Sequence, residues 1–339
     1  MARYEFASDN TAGAMPEVMD ALVRFNRGAE AGYGDDAVCA KAGDLIRDLL
    51  DVDAEVRFVA SGTAANALGL AALAASHEAV LAHEHAHVVV DETGAPGFFG
   101  AGLGVVGLPG ASGRIDPAAL AAALAQAEAP HWQSPAALSL TQSTEYGAIY
   151  AEAELAILIG SAKAKGLKVH LDGARLANAI AGGFDPKAFG RLGVDLLVMG
   201  GTKAGSTPTE AIVILDKTLE RRFGARMKHA GQLISKARYL AAPWIGMLQA
   251  GAWTSRAADA NAMAARLAAA SPFPLRHAVE SNAVFVDMDE PALKRLYAAG
   301  WAAYRVADGG VRFMCSWSTT EAGVDELGAT LRSIHENGR

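Results

Sequence analysis

Three apolar runs of this chain end on polar groups of different kinds, and together those groups match the parts of one ligand. DLLVM (195–199) passes through Gly200 and Gly201 to a single lysine, Lys203. The glycines strip side chains from around that amine, as a flat molecule approaching it would require; the plainer alternative is a strand end with a solvated lysine. KVHL (168–171) ends on Asp172, with Arg175 shortly beyond. That carboxylate could keep a heterocyclic nitrogen protonated, or cap a helix and pair with the arginine. VRFVA (56–60) leads into SGTAANALGLAAL, where Gly62 and Thr63 stand at a helix start. Free N–H groups there can seat an anion, unless Ser61 or Thr63 is simply a cap. Singly, each reading is open. An amine, a carboxylate and an anion seat at three strand ends are the handles needed by an aldehyde, a ring nitrogen and a phosphate, the set that pyridoxal 5′-phosphate carries.

HEHAHVVVDE (83–92) offers a second cluster. If extended, it puts His83, His85 and His87 on one face with Asp91 near, a metal-like set; if a helix starts at His87, Asp91 lies one turn on and could accept a hydrogen bond from it. Alone, Arg312 in VRFM reads as a surface strand residue, and Arg222 and Lys228 in RRFGARMKHAG as a solvated charged face.

The elements that must position these groups are legible in the hydrophobic periodicity. Pro16 opens a helix that Gly28 ends, and a second runs over about 36–50. From Val56, short apolar strands (VRFVA, AVLA, GVVGL, ALSLT, KVHLD, DLLVM, AIVIL) alternate with Ala-rich helices near 63–76, 116–127 and 152–165. This rhythm predicts an α/β fold with a mostly parallel sheet, whose ligands collect at the carboxyl ends of the strands. Beyond about residue 245 it changes to a long helix reaching about 270, then AVFVDM, LKRLYAAG, VRFMCSW and a last helix. We therefore expect a large domain over 1–245 and a small C-terminal α/β domain over 246–339.

The chain has 339 residues, 51% of them hydrophobic, and 30 basic against 37 acidic residues for a net charge of -7. That balance argues against nucleic-acid or membrane-surface partners and for a small molecule. Cys39 and Cys315, without zinc or CxxC spacing, suggest reduced thiols in a cytoplasmic protein, and no apolar stretch is long enough to span a bilayer.

The ordered segments ASDNTAGAMPEV, AGYGDD, ASGTAANALGLAAL, EHAHVVVDETGAP, HLDGARLANA, GGTKAG and VRFMCSW resemble the L-threonine aldolase family, particularly its low-specificity and phenylserine members. The resemblance runs from about residue 6 to near the C-terminus. It implies a pyridoxal-phosphate-dependent fold type I (aspartate aminotransferase-like) enzyme that cleaves L-β-hydroxy-α-amino acids to glycine and an aldehyde. By resemblance, Lys203 forms the Schiff base with the cofactor, Asp172 pairs with the pyridine nitrogen, Gly62 and Thr63 bind phosphate, and His87 stacks on the ring. Ser8, Arg175 and Arg312 would clamp the α-carboxylate. His83 and His85 would be bystanders, His131 a second active-site histidine, and Asp91 a contact to His87 or to the β-hydroxyl. Proton removal from that hydroxyl would fall to His87, His131 or a water they hold. Tyr33, with Arg222 and Lys228, would reach a neighbouring subunit's site in a dimer or tetramer. Other reactions on the same scaffold, β-elimination or transamination, and a non-catalytic relative are the alternatives.

Overall fold

The computed structural model describes residues 2–126 and 131–338. Seven strands form the main sheet in the order β1 (Glu55–Val59), β7 (Glu210–Ile214), β6 (Leu196–Gly200), β5 (Lys168–Gly173), β4 (Ser134–Thr141), β2 (Glu78–His83), β3 (Gly104–Leu108). All run parallel except β7, which is antiparallel to both of its neighbours. These are the seven apolar runs of the sequence. Leu196 and Val198 of β6 pack into the core on one face, while Leu197 and Met199 pack into the core on the other. A strand buried on both sides has no polar face to show, which is why DLLVM reads as continuous rather than alternating.

The parallel arrangement sends the ends of β1, β2, β4, β5 and β6 to one edge, and the reversed β7 begins there, with Gly200 opposite Glu210. Ala-rich helices lie close on the sheet: a Cβ added at Gly69, in helix Gly62–Leu73, would meet Leu196 at 2.9 Å. The second sheet is antiparallel, in the order β8 (Ala283–Val286), β10 (Val311–Met314), β9 (Tyr304–Arg305), with helices Glu290–Ala298 and Glu321–Glu336 against it. The two-residue β9 carries no apolar run, and nothing in the sequence announces it.

The change of core comes later than residue 245. Helix Arg238–Gln249 lies wholly with the large core, and helix Ala252–Ala270 gives Trp253 and Ala257 to the large core but Ala260, Ala264 and Leu267 to the small one. A continuous helix straddles the junction, so composition does not shift there. The N-terminal segment bridges as well, because Phe6 joins the small core and Met15 the large. Among the described residues no helix is long and apolar enough to cross a membrane.

Gly200 and Gly201 clear space for backbone rather than for a ligand. A Cβ on Gly200 would lie 2.1 Å from the Ala174 carbonyl oxygen, and one on Gly201 would lie 2.5 Å from that of Thr209. At Gly62, by contrast, an added Cβ meets no described heavy atom within 4 Å. Gly200→Ala is therefore expected to lower stability by about 1–3 kcal/mol in urea unfolding, the usual cost of overpacking. Gly62→Ala should stay within about 1 kcal/mol of the parent.

Candidate active site

Lys203 sits in the turn between β6 and β7, and two buried tryptophans hold that turn. Trp253 donates from Nε1 to the Gly200 carbonyl at 3.1 Å, and Trp244 donates to Thr209 Oγ1 at 3.2 Å. Met15 N–H closes the far side on the Gly205 carbonyl at 2.8 Å. The amine emerges into a pocket of about 460 Å³ between the main sheet and the second one. Ser8, His87, Asp91, Arg175 and Arg312 line it with Lys203, bringing together six residues expected from five remote segments.

Burial pushes the Lys203 amine below the ordinary lysine value and the Arg175 charge adds to this, against the opposing pull of Asp9, Asp172 and Glu210. Among the described residues it makes no hydrogen bond or ion pair. A desolvated lysine of this kind has a free lone pair at lower pH and so is a better nucleophile.

Asp172 lies at the end of β5, buried, accepting from Asn66 Nδ2 at 2.8 Å and from the Ala174 N–H at 2.9 Å. Burial alone would raise its pKa; the Lys203 charge, His170 and those two donors outweigh it and keep the carboxyl ionised. His170, two residues back on the same face of the strand, is pushed down to about 4 by burial and rests neutral against Ser139 Oγ at 2.9 Å.

His87 opens a short helix (His87–Val90) after β2. Its Nδ1 meets Glu92 Oε1 at 2.8 Å, and the same oxygen accepts from Asn66 at 2.9 Å. The Glu92 hydrogen bond raises the His87 pKa, against burial and the Lys203 charge. The expected partner, Asp91, is therefore replaced by its neighbour: the helix ends at Asp91, which points outward to the pocket mouth, and the buried Glu92 takes the imidazole.

His83 is buried, with Nε2 3.0 Å from the Gly110 carbonyl oxygen, and does not line the pocket. His85, expected to be a bystander, does line it, held by Tyr146 Oη at 2.8 Å. Hydrogen bonds thus occupy the histidines of the metal-like set, and among the described residues no three His, Cys, Asp or Glu groups converge for a metal ion.

Arg175 is committed as well. Its Nε and Nη2 meet both Asp9 oxygens at 2.7 and 3.0 Å, so the fork expected to grip a carboxylate already grips one. Among the described residues, Arg312 keeps a buried Nε without a partner. Ser8 caps the turn Asp9–Thr11, accepting from Asn10 N–H at 3.2 Å.

His131 falls elsewhere. It is exposed in the turn before β4, and Ser134 at the start of that strand is level with Glu78 at the start of β2, so it lies at the edge opposite Lys203. The group at the correct end of β4 is Glu145, in the pocket wall. The strand-end rule applied to ALSLT would have reached it. Glu92, Asp9 and Asn66 carry no comparable signal, because their partners are remote in sequence.

Ser61 caps helix Gly62–Leu73 through Ala64 N–H at 3.2 Å, which leaves the first two N–H groups, those of Gly62 and Thr63, unused by the helix. Tyr33 is exposed with φ 63°, and Lys228 Nζ sits 4.7 Å from its ring centre. Neither lines the Lys203 pocket within one chain. Arg222 is exposed beside a separate small cleft with Phe99 and His229.

The residues present fit a pyridoxal-phosphate-type group: an unpartnered buried amine, an ionised buried carboxylate and a helix start with open space before it. Comparison with known proteins agrees. Residues 5–291 match the pattern of the family described as beta-eliminating lyase. The chain is 42% identical over 337 residues to a low specificity L-threonine aldolase of Pseudomonas sp. (strain NCIMB 10558), with 97% of each covered. It is 43% identical over 337 residues to another of that name from Pseudomonas aeruginosa, again with 97% of each covered. A threonine aldolase structure from Leishmania major superposes with a TM-score of 0.90 at 30% identity, covering 98% of this chain and 99% of that one. The aspartate aminotransferase of Thermus thermophilus shares the fold, with a TM-score of 0.71 at 16% identity over 95% of this chain and 88% of that one.

Because Glu92 raises the folded pKa of His87, the stability this pair contributes is complete below the ordinary imidazole value and is lost as pH rises through the folded one. Glu92→Gln should shift the His87 titration to lower pH in proton NMR and flatten stability against pH above the ordinary imidazole value.

Proposed function

The chain belongs to the beta-eliminating lyase family and, within it, to the L-threonine aldolases, and from that premise we propose that it uses pyridoxal 5′-phosphate to cleave L-threonine, L-allo-threonine and L-phenylserine to glycine and an aldehyde. One observation carries the reading: Lys203 and Arg312 line the same pocket, the first with its amine and the second with its Nε unpartnered among the described residues. The first suits an aldehyde, the second a carboxylate.

When bound, the cofactor links to an amine and draws off the electron pair of a bond breaking at the adjacent carbon. Lys203 is the amine that holds it. Asp172 would meet the ring nitrogen and hold its proton in place, Gly62 and Thr63 would receive the phosphate, and His87 would lie against the ring. Arg312 takes the substrate's α-carboxylate, with Ser8 beside it and Arg175 offering the part of its guanidinium that Asp9 leaves free. Fixing that carboxylate orients the Cα–Cβ bond and so selects which bond breaks.

The chain is expected to work as a homotetramer in the cytoplasm. The exposed Tyr33, held at positive φ with Lys228 against its ring, would complete a neighbouring subunit's site. Such strain in a bulky residue persists only where surroundings impose it, and a subunit contact would do so. The buried free thiols of Cys39 and Cys315 suit a reducing compartment.

Incubation of the cofactor-loaded protein with L-threonine should release acetaldehyde and glycine; ammonia with an oxo acid would instead support β-elimination. Borohydride reduction and peptide mapping should place the cofactor label on Lys203, and Lys203→Ala should abolish both label and cleavage. Arg312→Ala should raise KM by about 30-fold or more, as loss of a charge-paired contact worth about 2 kcal/mol or more implies.

A further inference from the structure

The aldolase reading leaves one proton without a recipient, that of the substrate's β-hydroxyl. His131 lies at the wrong edge of the sheet. His87 has Nδ1 engaged with Glu92, which raises its pKa, and its imidazole is the group assigned to the cofactor ring. His85 is held through Nδ1 by Tyr146, Glu92 takes His87 and Asn66 on Oε1 and, although its Oε2 is also unpartnered among the described residues, does not line the pocket, and Asp91 lies exposed at a helix end.

Glu145 is different. It follows β4 in a tight turn closed by the Gly147 N–H on the Thr144 carbonyl at 2.9 Å, with Gly147 at φ 78°. Oε1 accepts from the His87 backbone N–H at 3.0 Å and from Thr141 Oγ1 at 3.1 Å. Those two donors lock the side chain in the pocket wall. Among the described residues, Oε2 is buried and has no partner. A carboxylate oxygen out of water without a donor is costly, and a substrate hydroxyl would relieve that cost.

We propose that Glu145 is a catalytic residue, and that its Oε2 accepts the proton of the substrate's β-hydroxyl as the Cα–Cβ bond breaks. The proton moves from the hydroxyl to Oε2, the O–H electron pair becomes the second bond of the aldehyde carbonyl, and the Cα–Cβ pair remains with Cα. One proton delivered to Cα then yields glycine, and Glu145 returns its own to water; substrate and products balance with no oxidant or reductant. Burial raises the Glu145 pKa, as does the nearby Asp172 charge, against the two N–H groups and the Thr141 hydroxyl, and Arg175 also faces it. A carboxyl held above its usual range is the better proton acceptor near neutral pH.

The inference rests on the aldolase reading, and the test separates the two. Glu145→Gln retains an oxygen for the His87 and Thr141 donors but cannot accept a proton. It should lower kcat for L-threonine cleavage by roughly 10²–10⁴-fold, the span expected for a positioned base. Exchange of the glycine α-hydrogen with deuterated water needs no hydroxyl chemistry and should remain within about threefold by proton NMR, taking a factor well below the span expected for a base. The glycine dissociation constant, read from cofactor absorbance, should likewise stay within about threefold by the same criterion. Glu145→Asp, a shortened base, should recover part of the cleavage. The proposal is overturned if Glu145→Gln cleaves threonine at the parental rate, or if exchange, glycine binding and cleavage fall together. Failure of the parent to cleave threonine would overturn the aldolase reading instead.

Discussion

Everything in this site follows from keeping one amine dry. An ammonium taken out of water is unstable unless paired, and Lys203 is buried beside the like charge of Arg175 with no carboxylate in hydrogen-bonding contact. The fold tolerates this because Asp9, Asp172 and Glu210 stand near enough to limit the cost without neutralising the group. Glu210, level with Gly200 and accepting from the Gly201 N–H at 2.8 Å, is itself pushed up to about 7 by burial. Glu210 thus sits near the boundary between charged and neutral, beneath a lysine whose own pKa is lowered, the usual condition of groups that handle protons.

Around the amine runs a continuous chain of hydrogen bonds. Asp172 meets Asn66, Asn66 meets Glu92, and Glu92 meets the His87 imidazole. The His87 backbone then meets Glu145, and Glu145 meets Thr141. The chain ties β4, β5, the segment after β2 and the helix after β1 into one unit. Each acidic side chain leaves at least one position committed, so its remaining oxygen has a defined direction. A pocket whose polar groups are oriented by one another needs little reorganisation when a substrate arrives.

The N-terminal segment and the small domain complete the enclosure. Phe6 packs in the small core, Asp9 secures Arg175, and Met15 meets the lysine turn, so the first part of the chain touches three separate parts of the enclosure. Arg312 on β10 and Tyr304 on β9 bring the small domain to the same pocket. The interdomain position explains how five remote segments share one small volume, and why the composition of any one of them says little about it.

The sequence alone determined the strands of the main sheet, the lysine turn, Asp172, the helix start at Gly62 and the family resemblance, because these depend on local periodicity and on short motifs whose residues are neighbours in the chain. It did not determine partners. Asp91 and Glu92 are adjacent and chemically equivalent, and only the end of a four-residue helix decides which is buried against His87. His131 and Glu145 flank the same strand, and only the strand's direction decides which reaches Lys203. Gly200 looked like room for a ligand and proved to be room for the Ala174 backbone. Burial, pairing and pKa are set by groups far away in the chain, so they exist only once the sheet has brought its edges together.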